Sequence, residues 1–211
     1  MRTMNDTRLI HLVDDDEAIR HSASFMLRHS GFRVKTYTDG VAFLETVATA
    51  ERGCILLDVQ MPGMDGLEVQ EALNARGVAM PVIVLTGHGD VAVAVRAMKA
   101  GAVDFVEKPY AKQTLVDALT RAFERLETRR KEDVLAEEAR GLIERLTGRE
   151  RDVLTGLVEG QTNKAIAEGL DISPRTVEIH RANLMEKMDA PSLSTVLRIA
   201  FAAGFGRSPA P

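Results

Sequence analysis

Cys54-Ile55-Leu56-Leu57-Asp58-Val59-Gln60-Met61-Pro62-Gly63-Met64-Asp65-Gly66 is the stretch on which the fold turns. Its first four residues are apolar without alternation, the mark of a strand buried on both faces, as in parallel sheets flanked by helices. A carboxylate ends the strand, and Pro62-Gly63 then marks a turn. Working outward, short β-type runs alternate with helical patterns. The runs are Leu9–Val13, Arg33–Tyr37, Cys54–Asp58, Val82–Thr86 and Asp104–Glu107. The helical patterns between and after them are Ala18–His29, Gly40–Ala48, Leu67–Ala75, Val91–Ala100 and Lys112–Leu126. Five strand–helix units predict a doubly wound, five-stranded parallel α/β domain over residues 1–126, flavodoxin-like in class.

In such sheets, ligands sit beyond the carboxyl ends of the strands. Those ends carry Asp14-Asp15-Asp16, Asp58, Thr86 and Lys108. Three adjacent aspartates exceed what a strand end needs: Asp16 can cap the following helix, which leaves Asp14 and Asp15. With Asp58 they offer three carboxylates to one hard cation, and oxygen-only ligation suits Mg²⁺. Such an ion would also neutralise a phosphoryl group arriving at Asp58. Lys108 could pair with the phosphoryl oxygens, and the Thr86 hydroxyl could hydrogen-bond them. Each residue has a plainer reading on its own: a turn carboxylate for Asp58, a β-branched strand terminus for Thr86, a solvated lysine for Lys108, a core aromatic for Phe105. His88, in a Gly-flanked loop, reads as a generic loop residue.

The motifs LVDDD, LLDVQMPGMDG, VLTGHGD and DFVEKP, in this order and spacing, resemble those of the response-regulator receiver family across residues 8–126. The resemblance implies that Asp58 accepts phosphate, and that Asp14, Asp15, Asp58 and the backbone carbonyl of Gln60 bind Mg²⁺. It also implies that Thr86, Phe105 and Lys108 transmit the modified state and that Lys108-Pro109 is cis. A dimer face is implied on the fourth helix and fifth strand, around Val91, Val95, Met98, Asp104, Phe105 and Val106. A phosphatase of the haloacid-dehalogenase type also uses a phosphoaspartyl group, but its second aspartate, two residues on, is here Gln60. The chain is therefore expected to be no enzyme beyond accepting and losing its own phosphoryl group.

Residues 127–142 are densely charged and read as a helical linker; its broken heptads favour a solvated connecting helix over the alternative of a coiled-coil contact between two chains. From Thr147 onward the pattern is entirely helical. Thr147 and Glu150 form a capping-box signature. Asn163 to Gly169 reads as a helix, and Ser173-Pro174 opens another with its cap and first position. The short break at Asp171-Ile172-Ser173 is what a helix-turn-helix needs. LTGRERDVL and NKAIAEGLDISPRTVEIHRANLMEKM resemble the LuxR/FixJ-type DNA-binding family, placing a four-helix helix-turn-helix domain at 143–211. Carried over by position, Glu178, Ile179 and Ala182 face base edges, while Asn163, Lys164, Arg175, Thr176, Arg181 and Lys187 approach phosphates. His180 reads as a partly buried packing residue. A helical bundle for protein contacts is the competing reading.

Charge does not decide between these. Net charge is −4 over 211 residues, and from Thr147 onward eight Lys and Arg balance eight Asp and Glu, so any DNA contact rests on placement. Hydrophobic residues at 45% and charged residues at 27% suit a soluble globular chain, and the lone Cys54 suits a reducing cytoplasm. No apolar run reaches the ~20 residues that span a bilayer, and the polar start, residues 1–8, has no signal-peptide character. The family resemblance implies a sensor histidine kinase as phosphodonor, a double-stranded DNA operator, a homodimer on phosphorylation and RNA polymerase as partners, with no membrane contact.

Overall fold

The computed structural model describes residues 8–87 and 91–206. His88, the residues before Arg8 and the last part of the C-terminal tail lie outside the described residues. The chain divides into two compact units, Met1–Thr128 and Arg129–Pro211.

In the first unit, strands β1 (Leu9–Val13), β2 (Arg33–Tyr37), β3 (Cys54–Asp58), β4 (Val82–Thr86) and β5 (Asp104–Glu107) alternate with helices. These are α1 (Glu17–His29), α2 (Gly40–Thr46), α3 (Gly66–Ala75), α4 (Val91–Lys99) and α5 (Lys112–Glu144), whose residues beyond Thr128 belong to the second unit. The strands form one sheet in the order β2-β1-β3-β4-β5, parallel at every pairing. β1, β3 and β4 are buried along their whole length. Their side chains alternate between two cores: Ile10, Leu12, Leu56, Ile83 and Leu85 join Leu27, Leu115 and Phe123 on one face. Val13, Ile55, Leu57, Val82 and Val84 join Phe43, Leu67, Leu73 and Ala97 on the other. This two-sided burial is why the strand runs lack polar alternation.

Caps set the helix starts. The Asp16 carboxylate accepts from Ala18 N and Ile19 N to open α1, and Asp65 with Glu68 forms a capping box for α3. The α2 helix stops at Thr46, short of the expected Ala48, and Val47–Thr49 tightens into a 3-10 turn. Thr46 Oγ1 donates back to Phe43 O at 3.0 Å, the competition that β-branched hydroxyl residues bring to helix ends. The α5 helix continues to Glu144, taking in the residues read as a linker.

The second unit holds α6 (Gly148–Val158), α7 (Asn163–Leu170), α8 (Pro174–Lys187) and α9 (Leu193–Ala202). Thr147 and Glu150 form the expected capping box of α6. Asp171, in the left-handed region at φ 54°, ends α7, and Ser173 caps α8 with Pro174 in its first turn. Val153, Leu154, Ile166, Val177, Leu184, Met188 and Val196 make the core. Gly156 lets α7 approach α6, because a Cβ there would lie 2.6 Å from Ile166 Cγ1.

Candidate functional site

The strand order reverses at β1, so the crevice beyond β1 and β3 is where a doubly wound sheet receives a ligand. Val13 pairs with Leu57, which brings Asp14 and Asp58 side by side at the strand ends. Both are buried, while Asp15 is exposed. One carboxylate oxygen from each of Asp14, Asp15 and Asp58 lies within 4.8 Å of the others. An all-carboxylate set of this span fits a hard divalent cation.

Lys108 follows β5 and reaches across to both buried carboxylates. Its ammonium lies 2.7 Å from Asp14 Oδ2 and 2.9 Å from Asp58 Oδ1. The Lys108-Pro109 peptide is cis, as expected. Burial raises the Asp58 pKa above the usual carboxylate range, helped by the Asp14 and Asp15 charges and only partly offset by Lys108. Burial alone would depress the lysine; its hydrogen bonds to Asp14 and Asp58 outweigh that and raise its pKa.

The pocket is braced from behind. Asp14 Oδ1 accepts from Asp16 N at 2.9 Å, and Arg20 Nη1 donates to the Asp14 carbonyl at 2.7 Å. Sequence reasoning passed over Arg20; its signal was a cation one turn past the Asp16 cap. Gly66 is packed against the end of β3 so closely that a Cβ would sit 2.1 Å from the Asp58 carbonyl oxygen. Gln60 is exposed just beyond Asp58.

Thr86 is buried at the end of β4, and its hydroxyl donates to Gly87 O at 3.3 Å. Beside it lies an apolar groove of about 480 Å³ lined by Val91, Val95, Met98 and Phe105. Phe105 is 44% exposed and Val91 74%. The aromatic is therefore not a core residue. Asp104 is ion-paired with Arg121. Val106 departs from the expected dimer face: it is 2% exposed and belongs to the core. Alternation along β5 turns Phe105 outward and Val106 inward.

On α8, Val177 and Leu184 are buried, as is Met188 at its C-cap, and Glu178, Ile179 and Ala182 are exposed. Ile179 is 53% exposed, an apolar side chain that the core does not use. Arg175 and Lys164 are also exposed, Lys164 lying 3.9 Å from Glu168 on its own helix. Thr176 is half-buried, and its N–H donates to the capping Ser173 Oγ. Arg181 Nη1 donates to Asn163 Oδ1 at 2.6 Å, joining the start of α7 to α8. His180 is half-buried. Lys187 is held differently from the other cations: its ammonium lies 2.9 and 2.7 Å from the two oxygens of buried Glu150. Sequence reasoning did not anticipate that pair, whose members are far apart in the chain.

Comparison with known proteins agrees with both units. Residues 10–120 match the response regulator receiver domain, and residues 144–200 match the bacterial regulatory proteins of the luxR family. The transcriptional regulatory protein FixJ of Azorhizobium caulinodans is 48% identical over 202 residues, 95% of each chain. FixJ of Rhizobium meliloti is 47% identical, covering 94% of this chain and 98% of its own. Among solved structures, the response regulator StyR superposes with a TM-score of 0.74 at 38% identity, over 92% of this chain and 98% of that one. Full-length FixJ from B. japonicum gives 0.59 at 43% identity, over 94% and 98%. With a receiver fold carrying an acidic pocket and a luxR-type helix-turn-helix behind it, the chain belongs to the FixJ/LuxR-type response regulators.

Proposed function

We propose that Asp58 is the phosphoacceptor through which a sensor histidine kinase controls DNA binding by α7 and α8. The observation that carries this reading is the pocket itself: three carboxylates gathered within 4.8 Å, two of them bridged by one lysine. An Asp58 oxygen attacks phosphorus in line as the P–N bond of the donor phosphohistidine breaks and its electron pair leaves with the imidazole. Asp14, Asp15, Asp58 and the Gln60 carbonyl would hold Mg²⁺, which would screen charge on the phosphoryl oxygens. Lys108 then exchanges its contact with Asp58 for a phosphoryl oxygen, and the Thr86 hydroxyl turns from Gly87 O toward the same group. Thr86 lines the groove with Val91, Val95, Met98 and Phe105, so its movement alters that surface.

Pairing two chains through this face, with Asp104 at its rim, supplies two reading modules to a roughly two-fold operator. Glu178, Ile179 and Ala182 then meet base edges, while Asn163, Lys164, Arg175, Thr176 and Arg181 orient the helix on phosphates. The bound dimer acts on RNA polymerase, as an activator, in the cytoplasm; among the described residues no helix is long and apolar enough to cross a membrane. The chain turns over no small-molecule substrate. Asp58→Asn tests the reading: with a small phosphodonor, wild type should dimerise and bind operator more tightly, and the variant should do neither. Equal responses, or steady Mg²⁺-dependent hydrolysis of a phosphomonoester by wild type, would overturn it.

A further inference from the structure

Two amide side chains on α3, one turn apart, reach across to the C-terminal end of α4. Gln70 Nε2 donates to Ala97 O at 3.1 Å, and Asn74 Nδ2 donates to Ala100 O at 2.8 Å. Ala97 O also accepts from Ala102 N, and Gly101, at φ 93°, turns the chain out of the helix. Carbonyls at a helix C-terminus are its electronegative end and have no partner within the helix; Ala97 O thus takes one donor from the following turn and a second from α3, which ties that end to the neighbouring helix. Asn74 is exposed, but Gln70 is 1% exposed, on a helix whose Leu67, Val69 and Leu73 are also buried. Its Oε1 is buried without a hydrogen-bond partner. Leucine or methionine would fill that volume with no unsatisfied atom, so packing alone does not account for an amide there. What the amide adds is direction: one bond that fixes α4 against α3.

We propose that Gln70 and Asn74 form a clasp that anchors the Ala97–Ala100 end of α4, so that a change at Thr86 moves the helix about that end, and its Val91–Val95 end most. These are positioning residues, remote from the phosphoryl group, and the proposal rests on the Thr86 switch described above. It assigns the movement to a particular half of the helix.

The test is hydrogen exchange on the full chain, wild type against Gln70→Met, Asn74→Ala and the double variant that combines them, with and without phosphoramidate and Mg²⁺. Both variants should keep the wild-type melting temperature or exceed it. Without phosphodonor, exchange in residues 97–102 should rise at least five-fold in each, while the phosphorylation rate of Asp58 stays within two-fold. In wild type, phosphodonor should change exchange at 91–95 and leave 97–100 unchanged; in the double variant the change should spread through residue 99. Unaltered exchange at 97–102 in both variants, or a wild-type change spread over the whole of α4, overturns the clasp. Wild type that is phosphorylated yet shows no change in α4 refutes the switch, and the clasp is then still read from the unphosphorylated variants.

Discussion

Replacing Lys187 with methionine separates two roles for that residue. As a phosphate contact it would act only on DNA; as the partner of Glu150 it holds the second unit together. The Glu150 carboxylate is 4% exposed and the Lys187 side chain 37% exposed. Burial would raise the Glu150 pKa, but hydrogen bonds from Lys187 and from Thr147 N outweigh it and hold it below the usual value. Removing one partner of a fully buried pair costs ~3–5 kcal/mol, whereas exposed pairs contribute ~0–1 kcal/mol. Lys187 is open to water on one side, and Thr147 N still donates to Glu150 at 2.7 Å, so a loss of about 2 kcal/mol is expected. For a unit of this size that corresponds to a melting temperature lower by roughly 10 °C. The assay is thermal unfolding of the full chain, followed by NMR signals of α6–α9, for Lys187→Met, Glu150→Gln and the double variant. The double variant should recover over half of the loss, because no charge is left buried and unpaired. The salt dependence of DNA binding should keep its slope, since each lost phosphate contact would lower it by ~0.9. An unchanged melting temperature together with a slope reduced by about one would refute the pairing argument and make Lys187 a DNA contact.

Gly66→Ala should destabilise the first unit by about 2–3 kcal/mol, because the new methyl would meet the Asp58 carbonyl at 2.1 Å and one of the two must shift. It should also slow phosphorylation from a small donor more than ten-fold, and wild-type rates in the folded variant would show that the close approach of Gly66 does not position Asp58. His11 is buried between the Tyr37 hydroxyl at 3.0 Å and Glu51 O at 2.9 Å, and burial lowers its pKa below 6.5. Its stabilisation is therefore complete above pH ~6.5, the unfolded value, and is lost as pH falls from there toward the folded value, by at most ~1.4 kcal/mol per pH unit. Urea unfolding at pH 7.5 and 5.5 should show a steeper loss for wild type than for His11→Gln, and parallel losses would argue against this.

The β-sheet was legible because each buried strand carries its own signature, an apolar run closed by a chemically distinctive residue. The acidic pocket was legible for a related reason: Asp14, Asp15, Asp58, Thr86 and Lys108 all sit at strand ends, so parallel order alone gathers them. Facing was harder. In Asp104-Phe105-Val106-Glu107 the period of two says that Phe105 and Val106 oppose one another, but not which of them meets the core. Treating both as one surface therefore misplaced Val106. Lys187 illustrates a different limit, since its partner Glu150 is 37 residues away and on another helix. A lysine in the last turn of a helix looks the same in sequence whether it faces a phosphate or a buried carboxylate. Gln70 was invisible for the converse reason: in an amphipathic pattern an amide counts as polar, and its burial emerges only when α4 covers it.

Lys108 has a consequence for the order in which the protein becomes competent. It reaches past β4 from the far edge of the sheet to touch the ends of β1 and β3. A growing chain on the ribosome displays Asp14, Asp15 and Asp58 long before residue 108 has emerged. During that interval the carboxylates exist without the cation that bridges Asp14 and Asp58. The lysine thus marks completion of the sheet, because its bridge between Asp14 and Asp58 forms only once the last strand has docked.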